Sequence, residues 1–434
     1  MDIVYPRCAG LDVHKKTVVA CVRRLGANGK VHKEVRTFGT MTSDLLSLAD
    51  WLAQEGVTHA AMESTGVYWK PVWNILDEQF QLLLVNARHI KQVPGRKTDV
   101  KDSEWIAELL QHGLLRGSFV PPAPQRELRE LTRQRMQLMH QKASVANRIQ
   151  KILEDANVKL ASVATDVLGM SGRDMLRAII AGQENPAVLA ELARRKLRAK
   201  IPELRSALQG RVTEHHRFML KLLLDQVTQL EELIERLNQR ITATLPASMK
   251  EALPQLLEVP GIAERAAENI LAEIGTNMEQ FPTDGHLSSW VGMSPGNNES
   301  AGKRKSGRTT KGNQWLRATL VQVAWAASHA KDTYLAAQYR RLAGRRGKKR
   351  ALVAVAHSIL IIIYHLLKKP GTTYRDLGPE YLDKLQSTQL TSDLVRRLER
   401  LGYKVSLEQA EAEGVPQEPA DGPTLINVAG VPSP

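Results

Sequence analysis

Four carboxylates in this chain stand where a phosphodiester could be handled. Asp12 closes a candidate strand in GLDVHK, Glu63 closes a later one in MESTG, and Asp99 and Asp102 lie three residues apart in RKTDVKDSEWIAELL. Asp99 is placed to cap a helix, with Asp102 over the same face of its first turn. All-oxygen donors of this kind suit hard divalent cations such as Mg2+ or Mn2+. A pair of such ions can hold a phosphodiester while offsetting charge on the attacking and leaving oxygens. Each residue alone has a plainer reading: a strand end, a loop position, a helix cap, a solvent-facing neighbour of Lys101. Their joint placement, at strand ends and a following helix start, favours a metal site. His14 and Lys15, just past Asp12, are further phosphate contacts or simply turn residues.

A second constellation lies far downstream. LLEVPGIAERAAENILAEIG reads as helix, hairpin, helix, with Gly261 allowing close backbone approach to a phosphate. A plain helical hairpin is the alternative. In SSWVGMSPGNNESAGKRKSGRTTKGNQWLRATLVQVAW, Lys303, Arg304, Lys305, Arg308 and Lys311 crowd a Gly- and Ser-rich loop ahead of a helix from Trp315. A hydroxyl there could attack a scissile phosphate if nearby cations stabilise its alkoxide and the pentavalent transition state. Ser300, Ser306, Thr309 and Thr310 are equal candidates by composition, and a solvated basic loop without chemistry fits as well. A second basic cluster, RRLAGRRGKKR, brings Arg345, Arg346, Lys348 and Lys349 together as a nucleic-acid contact or a solubilising turn.

The elements that must position these residues fall into segments. CAGLDVHK, TVVACVRR and VHKEVRTFG read as three strands with a GANGK turn. The helix MTSDLLSLADWLAQEG, the strand THAAMES, a helix from about Tyr68 to Gln79 and the strand QLLLVNA follow. That order is the one expected of an α/β ribonuclease-H-like domain. Pro121, Pro122 and Pro124 break the chain and mark a boundary near residue 120. Beyond it, Leu131, Leu138, Val145 and Ile152 recur every seven residues. Later, Leu220, Leu223, Val227, Leu230, Ile234, Leu237 and Ile241 alternate steps of three and four. This spacing keeps one apolar seam on a long helix and predicts a coiled-coil region over 121–245 that forms an antiparallel hairpin, a dimer contact, or both. A mainly helical domain is expected over 246–370. An extension follows over 371–434, where Pro and Gly predict a mobile tail.

The chain has 434 residues and a formal net charge of +14, enough length for two or three domains and a balance that favours a polyanionic partner. Two cysteines, Cys8 and Cys21, supply neither a zinc site nor a disulfide framework, and no export leader opens the chain, so a cytoplasmic location is expected. The apolar run from 351 to 367 is short for a bilayer span and contains His357 and His365, so it reads as a buried helix and no membrane is expected. No Walker-type glycine-lysine motif is present.

The strings GLDVHK, ESTG, RKTDVKDSEWIAELLQHGLL, VPGI, WVGMSP, ESAGKRKSGRTTKGNQWLR and VAWAA, in this order over roughly residues 7 to 370, closely resemble one family. It is that of bacterial insertion-sequence transposases with a DEDD-type N-terminal domain and a serine-containing C-terminal domain. The resemblance implies a RuvC-like domain whose metal ligands are Asp12, Glu63, Asp99 and Asp102, with Ser300 as the nucleophile that links transiently to DNA. It further implies donor and target double-stranded DNA as substrates, an element-encoded bridge RNA that pairs with both, and a nucleoid-associated homo-oligomer, a dimer or tetramer. The phosphoserine link implied for Ser300 conserves the energy of the broken bond, so no ATP is expected, which agrees with the missing Walker-type motif. Active sites in the family join the acidic domain of one subunit to the serine domain of another. The serine motif reads ESAGK here rather than the double-serine, double-glycine form of many relatives, which leaves Ser306 as the next candidate. Two other functions compete: a metal-dependent nuclease or Holliday-junction resolvase that uses water, and a non-enzymatic nucleic-acid scaffold.

Overall fold

Central strands carry the longest apolar stretches here, because a strand covered on both faces has no side left for polar groups. In β1 (Arg7–Val13) residues Cys8 to Leu11 are all buried, and β1 occupies the middle of a five-stranded sheet. The computed structural model describes residues 2–64, 66–86, 90, 102–296, 298–300, 303–369, 371–385 and 387–407. The chain divides into two units, Met1–Pro121 and Pro122–Pro434.

In the first unit the strand order is β3-β2-β1-β4-β5, with β2 (Thr17–Leu25), β3 (Val31–Gly39), β4 (His59–Glu63) and β5 (Gln81–Val85). β1, β2 and β3 pair antiparallel with one another, whereas β4 runs parallel to β1, and β5 to β4. This mixed sheet with flanking helices is an open α/β arrangement of the ribonuclease-H-like kind. Gly29, at φ +74°, closes the β2–β3 turn where the sequence places GANGK. One face of the sheet, with Ala9, Leu11, Val13 and Met62, packs on α1 (Thr42–Gln54) and α2 (Trp69–Leu76) through Leu48, Leu52, Trp73 and Leu76. The other face, with Cys8, Ala61 and Val85, packs on α3 (Asp102–Gln111) through Trp105, Ile106, Leu109 and Leu110. The edge strand β3 is protected by charge: Lys33 pairs with Glu104 at 2.7 Å, and Arg36 with Glu34 at 2.8 Å.

The second unit is helical. α4 (Ala123–Asp155) starts from Pro122 with Pro124 in its first turn, where the missing N–H costs nothing. Four short helices follow, α5 (Leu160–Val163), α6 (Met170–Ile180), α7 (Pro186–Glu191) and α8 (Ile201–Ala207), and then the long α9 (Glu214–Thr244). α4 and α9 lie antiparallel. His216 Nε2 is 3.0 Å from Asp155 Oδ2 at one end, and Arg135 Nη1 donates to Asn238 Oδ1 at 3.3 Å towards the other. The seam between them joins Leu138, Val145, Ile149 and Leu153 to Leu220, Leu223, Val227, Leu230 and Ile234. The seven-residue spacing thus serves a hairpin within the chain, and on α4 the seam leans towards Ile149 and Leu153, leaving Leu131 and Ile152 half-buried.

The remaining helices are α10 (Ala247–Leu257), α11 (Glu264–Ile274), α12 (Asp284–Val291), α13 (Gln314–Ala327), α14 (Tyr334–Arg346), α15 (Lys348–Lys368), α16 (Tyr381–Leu385) and α17 (Ser387–Arg400). Between α12 and α13 a short ribbon interrupts them, formed by β6 (Asn298–Ser300) and β7 (Lys303–Ser306). Among the described residues α15 alone is long and apolar enough to cross a membrane, yet 61% of its apolar window is buried within the protein. Val355, Ile359, Leu360 and Ile363 are wholly buried, and Tyr364 donates its hydroxyl to the Phe281 carbonyl at 3.0 Å, so α15 is the core helix of this region.

Candidate catalytic and nucleic-acid-binding sites

Strand register brings two of the four carboxylates side by side. Leu11 of β1 stands opposite Met62 of the parallel β4, so Asp12, one residue before the end of β1, and Glu63, the last of β4, lie beside each other at the same edge. Side chains alternate along a strand, which places both on the face that carries Cys8 and Ala61, the face covered by α3. Gly10 sets how closely that helix approaches. A Cβ there would lie 2.3 Å from both the Ser103 carbonyl oxygen and the Ala107 amide, so only glycine lets the first turn of α3 cross β1. Asp102 opens that turn, where the helix dipole favours a carboxylate.

Among the described residues, two basic side chains near this edge are occupied elsewhere. Lys33 of β3 and Arg23 of β2 are drawn to α3, Lys33 to Glu104 at 2.7 Å, and Arg23 to Gln111 at 2.8 Å and Glu108 at 3.7 Å. Asp12 meets His14, Nε2 to Oδ2 at 3.2 Å, and Glu63 has no ion-pair or hydrogen-bond partner among the described residues. The hydroxyl of Ser103, only 1% exposed and next to Asp102, has no hydrogen-bond partner among the described residues. Among the described residues, no three acidic, histidine or cysteine side chains stand close enough to hold a metal ion. Asp99 lies outside the described residues. The donor set is nonetheless all oxygen, the chemistry that Mg2+ or Mn2+ requires.

In the second unit, Ser300 ends β6 and stands opposite Lys303 of β7, with Glu299 opposite Arg304. Reading the segment as a loop missed this ribbon, because its strands are polar and carry no apolar alternation. Lys303, Arg304, Lys305 and Ser306 form β7, whereas Arg308 and Lys311 are exposed on the returning arm. Below the ribbon the two arms are held together. The Gly296 amide donates to the Arg308 carbonyl at 3.2 Å, and Arg317 Nη1 donates to the carbonyls of Gly292 at 3.4 Å and Thr310 at 3.2 Å.

A buried carboxylate anchors this base. Glu273, at the end of α11 and 2% exposed, receives both Nε and Nη2 of Arg133 at 2.6 and 2.8 Å and Nδ2 of Asn313 at 2.7 Å. Arg129 completes the pairing at 3.4 Å, and burial pushes its guanidinium down to about 10. The same two arginines lie over Trp290 and Trp315, at 5.8 and 5.7 Å from the ring centres. Asn313 also caps α13, accepting from the Trp315 and Leu316 amides, so one residue joins the returning arm to both α13 and Glu273. The sequence signal for this hub was present but unread: an acid in the apolar run before Gly275, and two arginines spaced by four in α4.

Two expected phosphate contacts are placed differently from each other. Gly261, at φ +89°, packs against the chain's own α13, where a Cβ would lie 2.5 Å from the Val323 carbonyl oxygen. Its need for glycine is therefore met inside the fold. Arg345, Arg346, Lys348 and Lys349 flank Gly347, at φ +80°, on the exposed corner between α14 and α15. Cations at the start of α15 are opposed by its dipole, so this corner gains from an anion.

One family model, described as a DEDD transposase of the IS110 type, matches residues 9–158. A second, described as the transposase IS116/IS110/IS902 family, matches residues 253–340, and together they cover more than half of the chain. The chain belongs to this family of transposases. The first match contains Asp12, Glu63, Asp99 and Asp102, and the second contains Ser300, both arms of the ribbon and Glu273. No curated protein matches the transposase. As a transposase it is an enzyme of phosphoryl transfer, with DNA as substrate.

Proposed function

We propose that this transposase cuts and rejoins DNA at insertion-sequence ends and target sites, with Ser300 as nucleophile and the edge formed by Asp12, Glu63, Asp99 and Asp102 as its divalent-metal site. The observation that carries this reading is the ribbon: Ser300 ends β6 opposite Lys303, at the head of a basic segment whose base is held by Glu273.

Ser300 Oγ bonds to the scissile phosphorus while the bond to the 3′ oxygen breaks, and the departing oxygen takes up a proton as a 3′ hydroxyl. The hydroxyl proton of Ser300 leaves to solvent or a nearby base. Lys303, Arg304 and Lys305 supply positive charge to the phosphate oxygens as charge builds. In the reverse step a 3′ hydroxyl of the exchanged strand attacks the phosphoserine and frees Ser300. Each linkage conserves the energy of the bond it replaces, so no ATP enters. Asp12, Glu63 and Asp102, with Asp99, would hold Mg2+ or Mn2+, which when bound offsets negative charge on the phosphodiester.

The same reading includes an element-encoded RNA that pairs with donor and target DNA, a homo-oligomer in which the acidic edge of one subunit serves the ribbon of another, and a cytoplasmic, nucleoid-associated location. Recombined junctions from an element with its noncoding flanks test it. Wild type should form junctions, and Ser300→Ala, Asp12→Asn and Glu63→Gln should each lose them. Junction formation by Ser300→Ala would move the nucleophile to Ser306 or to water at the acidic edge, as in a nuclease or resolvase.

A further inference from the structure

The short helices between α4 and α9 carry a cleft that neither family model covers, since the matched segments end at residue 158 and resume at 253. It has a volume of about 370 Å3 and lies between the turn after α5, the start of α6 and the turn Arg195–Lys200. Five of the seven residues from Arg194 to Lys200 are cationic, and Arg194, Arg195, Lys196 and Lys200 line the cleft. Asp166 is the one acidic residue on its wall among the described residues.

The wall is built rather than incidental. Arg194 pairs with Asp174 at 2.6 Å, and its amide donates to Ser171 Oγ at 2.9 Å, which ties the cationic turn to the first turn of α6. Lys200 Nζ donates to the Val163 carbonyl at 3.4 Å and ties it to α5. Arg195 and Lys196 are exposed and have no hydrogen-bond or ion-pair partner among the described residues. Their neighbours differ: Arg173 pairs with Glu231 at 2.6 Å and Arg205 with Glu191 at 3.2 Å, so acids are supplied here where a charge serves only the fold. Arg195 also holds a left-handed backbone, φ +52°, which long side chains avoid. α6 opens at Gly169 without a side-chain cap, so the amides of its first turn add donors to the same wall.

We propose that this cleft binds a phosphate of a nucleic-acid backbone, a contact separate from the serine ribbon and the basic corner. Its size suits one nucleotide unit, its cations suit a phosphodiester, and its open rim lets a strand pass. The proposal rests on the transposase reading only for the identity of the polyanion.

The full-length protein carrying Arg195→Glu and Lys196→Glu tests it, with a single-stranded RNA and a duplex DNA of equal length as probes. Affinity should fall about tenfold or more for at least one probe at fixed salt. The slope of log affinity against log salt should fall by about 0.7 with the single strand or about 0.9 with the duplex, the contribution of one phosphate. Loss with RNA alone assigns the cleft to RNA, loss with duplex alone to DNA, and the charge-keeping Arg195→Lys with Lys196→Arg should bind as wild type. Unchanged affinity and slope with both probes would overturn the proposal. Unchanged melting of both variants shows that the fold is intact. Covalent attachment at Ser300 is scored separately, so a failed nucleophile assignment and a failed cleft give different results.

Discussion

Glu273 shows how one buried charge can hold the base of a ribbon far along the chain. Its carboxylate sits between Arg133, Arg129 and Asn313 with almost no solvent, so removing it takes the carboxylate partner from the largely buried Arg129 and the half-buried Arg133. Breaking a buried pair on one side costs about 3–5 kcal/mol. Glu273→Ala should therefore lower stability by that amount in chemical denaturation, and Glu273→Gln, which keeps the shape and one acceptor, by less. Thiols give a second residue-scale prediction. Burial pushes Cys8 up to about 12 and Cys21 up to about 11, with both side chains wholly buried. The native fold should protect both from a thiol reagent at mildly alkaline pH, and denaturant should release them together. Because the folded state favours the protonated thiols, the unfolded state loses these protons first. Their contribution to stability is full below the ordinary thiol range and falls as pH rises from about 9 towards these values.

The α3 crossing over β1 is the element on which the acidic edge depends. Gly10→Ala introduces a Cβ against the Ser103 carbonyl and the Ala107 amide, and backbone cannot yield as a flexible side chain does. The helix must shift, at a cost of about 1–3 kcal/mol, and Asp102 shifts with it. A lowered melting temperature together with lost strand cutting is the expected result; unchanged cutting would show that the position of Asp102 is not critical. Much at this scale was legible in the sequence. The candidate strands CAGLDVHK, TVVACVRR and VHKEVRTFG with the GANGK turn located β1 to β3, and the strand ends located Asp12 and Glu63. The steps of three and four revealed the α9 seam. Two things were hidden for physical reasons. The β6–β7 ribbon is held by backbone pairing between polar strands, so side-chain pattern carries no trace of it. The Glu273 hub joins residues 140 positions apart, and no local spacing reports such a pair. Ser300 was one of several hydroxyls until a resemblance singled it out, and the fold adds its place opposite Lys303.

At the scale of the whole molecule, a charge of +14 accompanies an acidic edge that, in the proposed function, admits the same polyanion. The two requirements separate in experiment. Replacing Arg345, Arg346, Lys348 and Lys349 with alanine removes an exposed cationic corner, and binding to duplex DNA should weaken with a smaller salt dependence, by up to about 0.9 in slope for each phosphate that is no longer neutralised. Asp12→Asn should act in the other sense: binding retained or tightened, because a repelling charge is gone, with strand cutting reduced at least about 100-fold. Proportional loss of binding and cutting in Asp12→Asn would instead mark this edge as structural. The most direct measurement is to trap the transposase on its DNA and locate the attached nucleotide by peptide mass spectrometry. A phosphodiester on Ser300, absent from Ser300→Ala, is the predicted result; an adduct on Ser306, or cut DNA with no protein attached, would contradict it.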